Sequence, residues 1–358
     1  MTCLHKYWIK EFVRFFFMIQ VVILVLFVLI DYLSRLDRFL KSDLSLVGAL
    51  GYVLLKVPFM FAQLSPASIL LATIVVFGRM NRQNELIAVK SSGISVYFLV
   101  KPALIAGGTL ALIMIFMGET LIPMTMAKAN YIKYQIIKKR NNIYAGREDI
   151  WIKSEKKLIR VNFYNPAKQS IAGVTITEMG DGFSIRSRID AKKGTYKNGI
   201  WELEDIIEQT HNDISSDYDV TLHKKNVIPL SFKPDDLSEY SKKSEEMSLS
   251  ALKDYVQKVE REGYDSTTYR VDLNGKIAFP FICIIMVLTG AATGMKSFVK
   301  DNMPLGIALG VIIAFMYWFA YGFCMSLGYG AILPPVLSAW AANVFFICFG
   351  ILYLVTAE

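Results

Sequence analysis

RMNRQNELIAVKSSGIS, residues 79–95, is a polar stretch lying between two apolar runs, 50–77 and 96–117, and the whole topology turns on what it is. Its residues carry the signals of a short helix over 81–93. Asn81 or Asn84 can serve as N-cap, Glu85 sits in the first turn, Lys90 in the last, and Gly93 takes the position just past the end. Leu86, Val89 and the stem of Lys90 share one face, a narrow apolar stripe suited to docking. A plain loop beside a membrane has the same polarity, so the flanking sequence has to separate the two readings.

The flanks are apolar and long. Hydrophobic residues make up 54% of the 358-residue chain, the mean hydropathy is +0.39, and runs at 12–31, 50–77, 96–117, 277–295, 303–327 and 331–356 are near spanning length. A helix crossing a bilayer needs about 20 such residues. The chain therefore reads as an α-helical polytopic membrane protein with six transmembrane helices. Between the third and fourth runs lies a polar block of about 150 residues, large enough for a domain of its own. The expected organisation is residues 1–125 for spans one to three, 126–270 for the inserted domain and 271–358 for spans four to six. The first run has no small-residue cleavage pattern and leads into DYLSRLDRFLK, so it is expected to be retained.

Basic residues orient the chain. With a cytoplasmic N-terminus the inner segments hold Lys6, Lys10, Arg14, Arg79, Arg82, Lys90, Lys101, Lys296 and Lys300, against Arg35, Arg38 and Lys41 in the short outer ones. That asymmetry puts both termini and residues 79–95 inside, and the inserted domain outside, in the periplasm of a Gram-negative inner membrane. The net charge of +8 then reflects topology and an anionic ligand rather than nucleic acid. Cys283, Cys324 and Cys348 fall in spans and Cys3 in the inner tail, so no disulfide framework is expected outside. No metal-ligand spacing occurs, and His211 and His223 read as solvated.

Taken in order, span one ends at Asp31 and meets Arg35, Arg38 and Lys41. These form either a mixed-sign interfacial collar or a phosphate-binding cluster, since arginine suits bidentate phosphate contacts. Span two carries Lys56 near its outer boundary, where it can snorkel or join the same basic cluster, and Pro58 and Pro66 predict kinks. Span three has Gly107 and Gly108 for close helix approach and ends at Glu119. A helical continuation over 123–139 adds Lys133 to the basic residues. From Asn141 to Lys233 the period becomes two: Ile159, Val161 and Phe163 alternate with Arg160, Asn162 and Tyr164. Further strands at 174–177, 183–189, 195–196, 200–203 and 220–222, with turns at Asn165-Pro166, 179–182, Lys193-Gly194 and Asn198-Gly199, predict an antiparallel sandwich or jelly roll. Residues 248–262 form an amphipathic helix capped by Ser248 or Ser250, with Leu249, Leu252, Val256 and Val259 on one face. The small residues of spans four and five (Gly290, Ala291, Ala292, Gly294, Gly306 and Gly310) favour tight static packing over a moving gate.

No catalytic constellation, nucleophile elbow or phosphate-binding loop occurs, so neither enzyme chemistry nor a bound nucleotide is expected. Intramembrane acids suited to ion coupling are nearly absent. Active transport by this chain therefore needs a separate ATPase docking on an inner loop. A membrane scaffold or sensor with a periplasmic ligand-binding domain, and a secondary transporter, are the competing readings.

Several stretches together resemble one family. NELIAVKSSGIS, DIWIKSEKKLIRV, MSLSALKDYVQKVEREGYDSTTYRVDLNGKIAFPF and GYGAILPPVLSAWAANVFF are similar, in this order and across essentially the whole chain, to the LptF/LptG (YjgP/YjgQ) permeases of lipopolysaccharide export. IDYLSRLDRF and the Ser-Leu-Ser-Ala-Leu helix resemble the LptG branch more than the LptF branch. The resemblance implies a periplasmic β-jellyroll and a coupling helix that docks on an LptB ATPase dimer through Glu85, with Leu86 and Val89 on its docking face and Gly93 ending it. It implies a heterodimer with a paralogous permease (LptF), hand-off to LptC and the periplasmic bridge, and ATP and Mg held by the partner alone. Lipopolysaccharide would enter through gates lined by spans one and five, here Phe27, Ile30, Gly310 and Phe315. Its phosphates would meet Arg35, Arg38, Lys41, Lys56 and Lys133. Two positions depart from the family pattern: Asp31 stands where some members have a lysine, and Phe59 follows the span-two proline where a basic residue is found.

Overall fold

Backbone amides in a bilayer core have no water to bond, so apolar runs close their own hydrogen bonds as helices. A computed structural model describes residues 3–40, 45–95, 97–133, 147–154, 157–165, 169–180, 184–197, 200–212, 217–228, 244–261 and 265–355. Its elements are α1 (Cys3–Ser34), α2 (Leu36–Leu40), α3 (Leu46–Leu55), α4 (Val57–Arg82), α5 (Glu85–Ser91), α6 (Tyr97–Glu119) and α7 (Leu121–Ile132). Strands β1 (Arg147–Ser154), β2 (Lys157–Asn165), β3 (Ser170–Met179), β4 (Ile185–Lys197), β5 (Ile200–Asn212) and β6 (Asp217–Ile228) follow. The chain closes with α8 (Leu249–Arg261), α9 (Thr267–Ala278), α10 (Ile282–Gly294), α11 (Ser297–Asp301), α12 (Met303–Tyr329) and α13 (Pro335–Val355). Six stretches are long and apolar enough to cross a membrane: Leu4–Ser34, Val57–Arg82, Phe98–Glu119, Thr267–Gly294, Met303–Tyr329 and Pro335–Val355. The first and fourth outrun their apolar stretches because polar, amphipathic turns extend them.

The chain divides into two compact units, Met1–Leu36 with Val47–Ala129 and Ser244–Glu358, and Asp37–Leu46 with Asn130–Lys243. In the first unit α4 and α10 are the most buried spans, and α1 and α12 the least. α4 packs along α1, α6, α10 and α12, while α10 packs along α4, α6 and α13. Gly290 and Gly294 bring α10 onto α4: a Cβ at Gly290 would stand 2.8 Å from the Thr73 Cβ, and one at Gly294 would stand 2.8 Å from the Phe77 Cβ. Gly107 is used the same way, 3.0 Å from Val287, whereas Gly108 faces open space. The small residues thus serve packing, as lipid-embedded helices require.

A proline marks the break just before span two and the break within span four. Pro58 follows the break between α3 and α4, where Lys56 sits outside both helices. Pro280 lies in a 3-10 turn, Phe279–Phe281, between α9 and α10, and the turn redirects the Ile282 N–H to the Phe279 carbonyl. The Ala278 carbonyl instead accepts the buried Asn343 side-chain amide at 2.8 Å, and Asn343 in turn accepts the Tyr317 hydroxyl at 2.6 Å. Asn343 is thus satisfied entirely by protein. In the same unit the Glu119 carboxylate accepts the Leu249 N–H (2.8 Å) and the Ser250 hydroxyl (2.6 Å). Ser248 is the residue that caps α8, taking the Ala251 N–H at 3.1 Å. Lys276 donates to the Met247 carbonyl. The buried face of α8 is Leu252, Tyr255, Val256 and Val259; Leu249 is only half-buried.

The second unit is an antiparallel sheet whose order is the sequence order, β1 to β6. Its described strands therefore form a meander. Its core is Ile159, Val161, Tyr164, Ile171, Val174, Ile176, Ala191, Trp201, Leu203 and Ile206. Tyr164, expected on the polar face, is buried, because the inward alternation steps by three residues rather than two at one line across the sheet. The step falls between Val161 and Tyr164, Ile171 and Val174, and Leu203 and Ile206. Gly173 (φ +64°) and Asp205 (φ +54°) sit on that line in left-handed backbone. Lys193-Gly194 is not a turn: both lie inside β4, and a Cβ at Gly194 would stand 2.6 Å from Leu203 and 2.7 Å from Ile171. The segments expected at 183–189 and 195–196 are therefore parts of one strand, with Phe183 outside the described residues. His211 is half-buried against the Tyr218 ring rather than solvated, and the His223 Nε2 lies 3.6 Å from Glu208.

If the α4–α10 contact carries the bundle, Gly290→Ala should lower stability by about 1–3 kcal/mol through overpacking. Gly108→Ala, which meets nothing within 4 Å, should leave it unchanged. Thermal melts in detergent check this, and equal effects at both positions would contradict it.

Candidate functional site

Three places carry the residues that the sequence singles out. The first is the turn after span two. α4 runs through Arg82, so Asn81 is helical and caps nothing; its side-chain amide donates to the Met295 (3.0 Å) and Lys296 (3.1 Å) carbonyls. Asn84, in left-handed backbone at φ +60°, precedes α5, which covers only Glu85–Ser91 of the helix expected over 81–93. Gly93 has φ +77° and its N–H bonds the Lys90 carbonyl at 3.1 Å, while Ile94 N–H reaches the Val89 carbonyl at 3.3 Å. A left-handed glycine one residue past the end is what this closure requires.

The apolar stripe of α5 is used inside the chain. Leu86 belongs to the bundle core and Val89 packs against that core, so neither faces outward as a docking surface. Ile87, Ala88 and Lys90 are exposed instead. Glu85 is half-buried at the edge and accepts a hydrogen bond from the Tyr7 hydroxyl at 3.4 Å, a partner 78 positions away with no sequence signal. Beside it Arg79 pairs with Glu11 at 3.0 Å, and Trp8, Phe12, Phe16 and Gln20 lay a buried stripe at four-residue spacing from α1. The α11 helix inserts Val299 between Gly78 and Gly306: a Cβ would stand 2.9 Å from it at Gly78 and 2.8 Å at Gly306.

The second place is the far end of α1. The Asp31 carboxylate accepts the Arg35 Nε at 3.0 Å on one oxygen and the Lys56 Nζ at 2.8 Å on the other. The three side chains are only 10%, 24% and 14% exposed respectively. Lys56 also stands 5.9 Å from the centre of the buried Tyr52 ring. Two of the five expected phosphate-binding cations are thus brought together, with an acid between them. Arg38, exposed on α2, and Lys133, half-buried after α7, belong to the other unit, and Lys41 lies outside the described residues. The i, i+4 spacing foretells the Asp31–Arg35 pair; the sequence also offers Lys56 to this basic cluster, but not its bond to Asp31.

The third place is the surface of spans one and five. Phe27 is 43% exposed, Ile30 64% and Phe315 67%, whereas Gly310 is buried, a Cβ there standing 2.6 Å from Ile74 and 2.9 Å from Leu71. Gly310 is therefore a packing contact between α12 and α4 rather than part of an open face. From Val21 to Ser34 α1 has no buried side chain, although its first half has several. α1 and α12 each pack along α4, and both leave broad apolar faces uncovered among the described residues.

Six spans in two groups of three, with an all-β unit between them in the sequence, define a multi-pass membrane protein. The family described as lipopolysaccharide export system permease LptF/LptG matches residues 6–356, and the chain belongs to it. It is 19% identical over 318 residues to the lipopolysaccharide export system permease protein LptG of Escherichia coli strain K12, covering 87% of this chain and 86% of that protein. The same figures hold for the protein of that name from Escherichia coli O6:H1. The chain is thus an inner-membrane permease of lipopolysaccharide export.

Because Leu86 anchors α5 to the bundle, Leu86→Ala should loosen α5 by about 2 kcal/mol or more, a roughly 30-fold faster amide exchange over 85–91. Exchange in the buried spans two and four should not change. Unaltered protection in α5 would contradict the anchoring role.

Proposed function

We propose that this chain is the LptG-type permease subunit of an ABC-type lipopolysaccharide exporter, paired with a paralogous permease and driven by a separate cytoplasmic ATPase dimer. Family membership supports the class. The observation that carries the finer reading is α5, a short helix fixed to the bundle by Leu86 and closed by Gly93, with half-buried Glu85 at its edge. A helix anchored on one face and open on the other suits transmission of a partner's movement into span two. The partner would meet Glu85, Ile87 and Ala88, while Leu86 and Val89 carry the push inward. ATP and Mg belong to the ATPase.

The excess of basic residues at the Glu85 end supports a cytoplasmic location for that end and a periplasmic one for the sheet unit. Lipopolysaccharide then enters laterally at spans one and five, past Phe27, Ile30 and Phe315, and its phosphates meet Arg35 and Lys56; Arg38, Lys41 and Lys133 are further candidate phosphate contacts. The sheet unit passes the lipid to an LptC-type partner and the periplasmic bridge. Magnitudes assign the roles. Withdrawing acyl chains costs about 0.8 kcal/mol per methylene, so extraction needs ATP. Charge-assisted phosphate contacts of about 1.5–3 kcal/mol each select the lipid without extracting it.

Glu85→Lys should abolish copurification of the ATPase with this permease while leaving the permease pair intact in the membrane. Pull-down from membranes expressing all subunits reads this. Full retention of the ATPase with Glu85→Lys would overturn the docking role of α5.

A further inference from the structure

We propose that Asp31 is a built-in counterion which an arriving phosphate displaces from Arg35 and Lys56, so that headgroup binding and release of this end of span one are one event. The inference rests on the reading of Arg35 and Lys56 as a phosphate subsite and adds to it the role of the acid.

The geometry is that of an occupied anion site. Each oxygen of the Asp31 carboxylate holds one cation, at 3.0 Å and 2.8 Å, and all three side chains are largely shielded from solvent. Two positive charges against one negative leave a single net charge for a phosphate to find. A phosphate that kept Asp31 in place would put two anions on the same pair of cations, and like charges in a shielded site repel. Binding is therefore an exchange of one anion for another. Charge-assisted bonds to carboxylate and to phosphate are similar in kind, so the exchange lowers affinity without blocking it. That suits a carrier, which has to let its cargo go.

The exchange also acts on the helices. Arg35 is the first residue past α1, one turn on from Asp31, but Lys56 sits at the break between α3 and α4, so the Asp31–Lys56 bond is the one that reaches a distant element. No side chain of α1 from Val21 to Ser34 is buried, so this part of α1 has little packing to hold it. The first half, with Trp8, Phe12, Phe16 and Gln20 buried, stays on α4. Moving the carboxylate off Lys56 removes a tie from the loosely packed half of span one.

The test uses the full chain in detergent micelles, with bisphosphoryl and monophosphoryl lipid A as probes. Asp31→Asn should bind the bisphosphoryl lipid about tenfold tighter, Lys56→Met about tenfold weaker, and the double variant near wild type. Spin labels at the exposed positions Leu29 and Leu54 should move apart when the unmutated chain binds bisphosphoryl lipid A, and should stand apart without lipid in Asp31→Asn. The label measurement on the unmutated chain does not depend on any Asp31 variant folding. If Lys56→Met weakens binding but Asp31→Asn does not tighten it, or the label distance stays fixed with lipid bound, the counterion role is overturned and the phosphate subsite stands. If Arg35→Gln and Lys56→Met both bind like wild type, the subsite itself falls and the counterion role with it.

Discussion

The contact on which the bundle depends is the approach of span four to span two at Gly290 and Gly294. Lipid tails are as apolar as leucine, so helices in a bilayer gain little from hiding apolar surface and associate through close packing and interhelical hydrogen bonds. A glycine pair four residues apart lets α10 settle against Leu70, Thr73, Ile74 and Phe77 of α4. Once those two helices are joined, the free sides of α4 take α1 and α12, and the free sides of α10 take α6 and α13. Spans one and five thereby become the flanks. Their exposed apolar faces follow from the position of the glycines on span four.

Polar chemistry is sorted to the two ends of this bundle and serves different ends there. At the Glu85 end Tyr7, Glu11, Arg79 and Asn81 tie the start of span one, the end of span two and the exit of span four together. Val299 wedged at Gly78 and Gly306 adds span five to the same knot. Movement imposed on α5 therefore has short, stiff routes into several spans. At the Asp31 end the joints of span one are ionic rather than packed. A helix held by packing at one end and by charge at the other is suited to pivoting about its packed half when an anion arrives.

The sequence is read well where one physical cause dominates and poorly where a residue answers to a distant neighbour. Apolar runs located all six spans, and Gly93 was recognisable because a left-handed helix end favours glycine. The direction of the α5 stripe was not recognisable: Leu86 and Val89 mark an apolar face, but only the bundle decides whether it points inward. Gly194 looked like a turn residue and is a packing residue, cleared for Leu203 and Ile171 from neighbouring strands. Tyr164 was placed on the wrong face because strict alternation ignores the three-residue step beside Gly173. Asn81 offered a cap and supplies a bond to carbonyls more than 200 positions away. Asp31 stood out as an acid where a base was expected, yet Lys56, the partner that gives it meaning, lies 25 positions on across a helix break.

The central claim is that the uncovered faces of spans one and five, flanking span two, are where the lipid passes. Site-specific photo-cross-linking in the assembled, ATP-supplied complex tests it most directly, with the cross-linker at Ile30, at Phe315 and, as a control, at the exposed Val344 of span six. Lipopolysaccharide adducts at Ile30 and Phe315, rising with ATP turnover and absent or much weaker at Val344, are the predicted result. Adducts of equal strength at all three positions, or none at Ile30 and Phe315, would contradict the account.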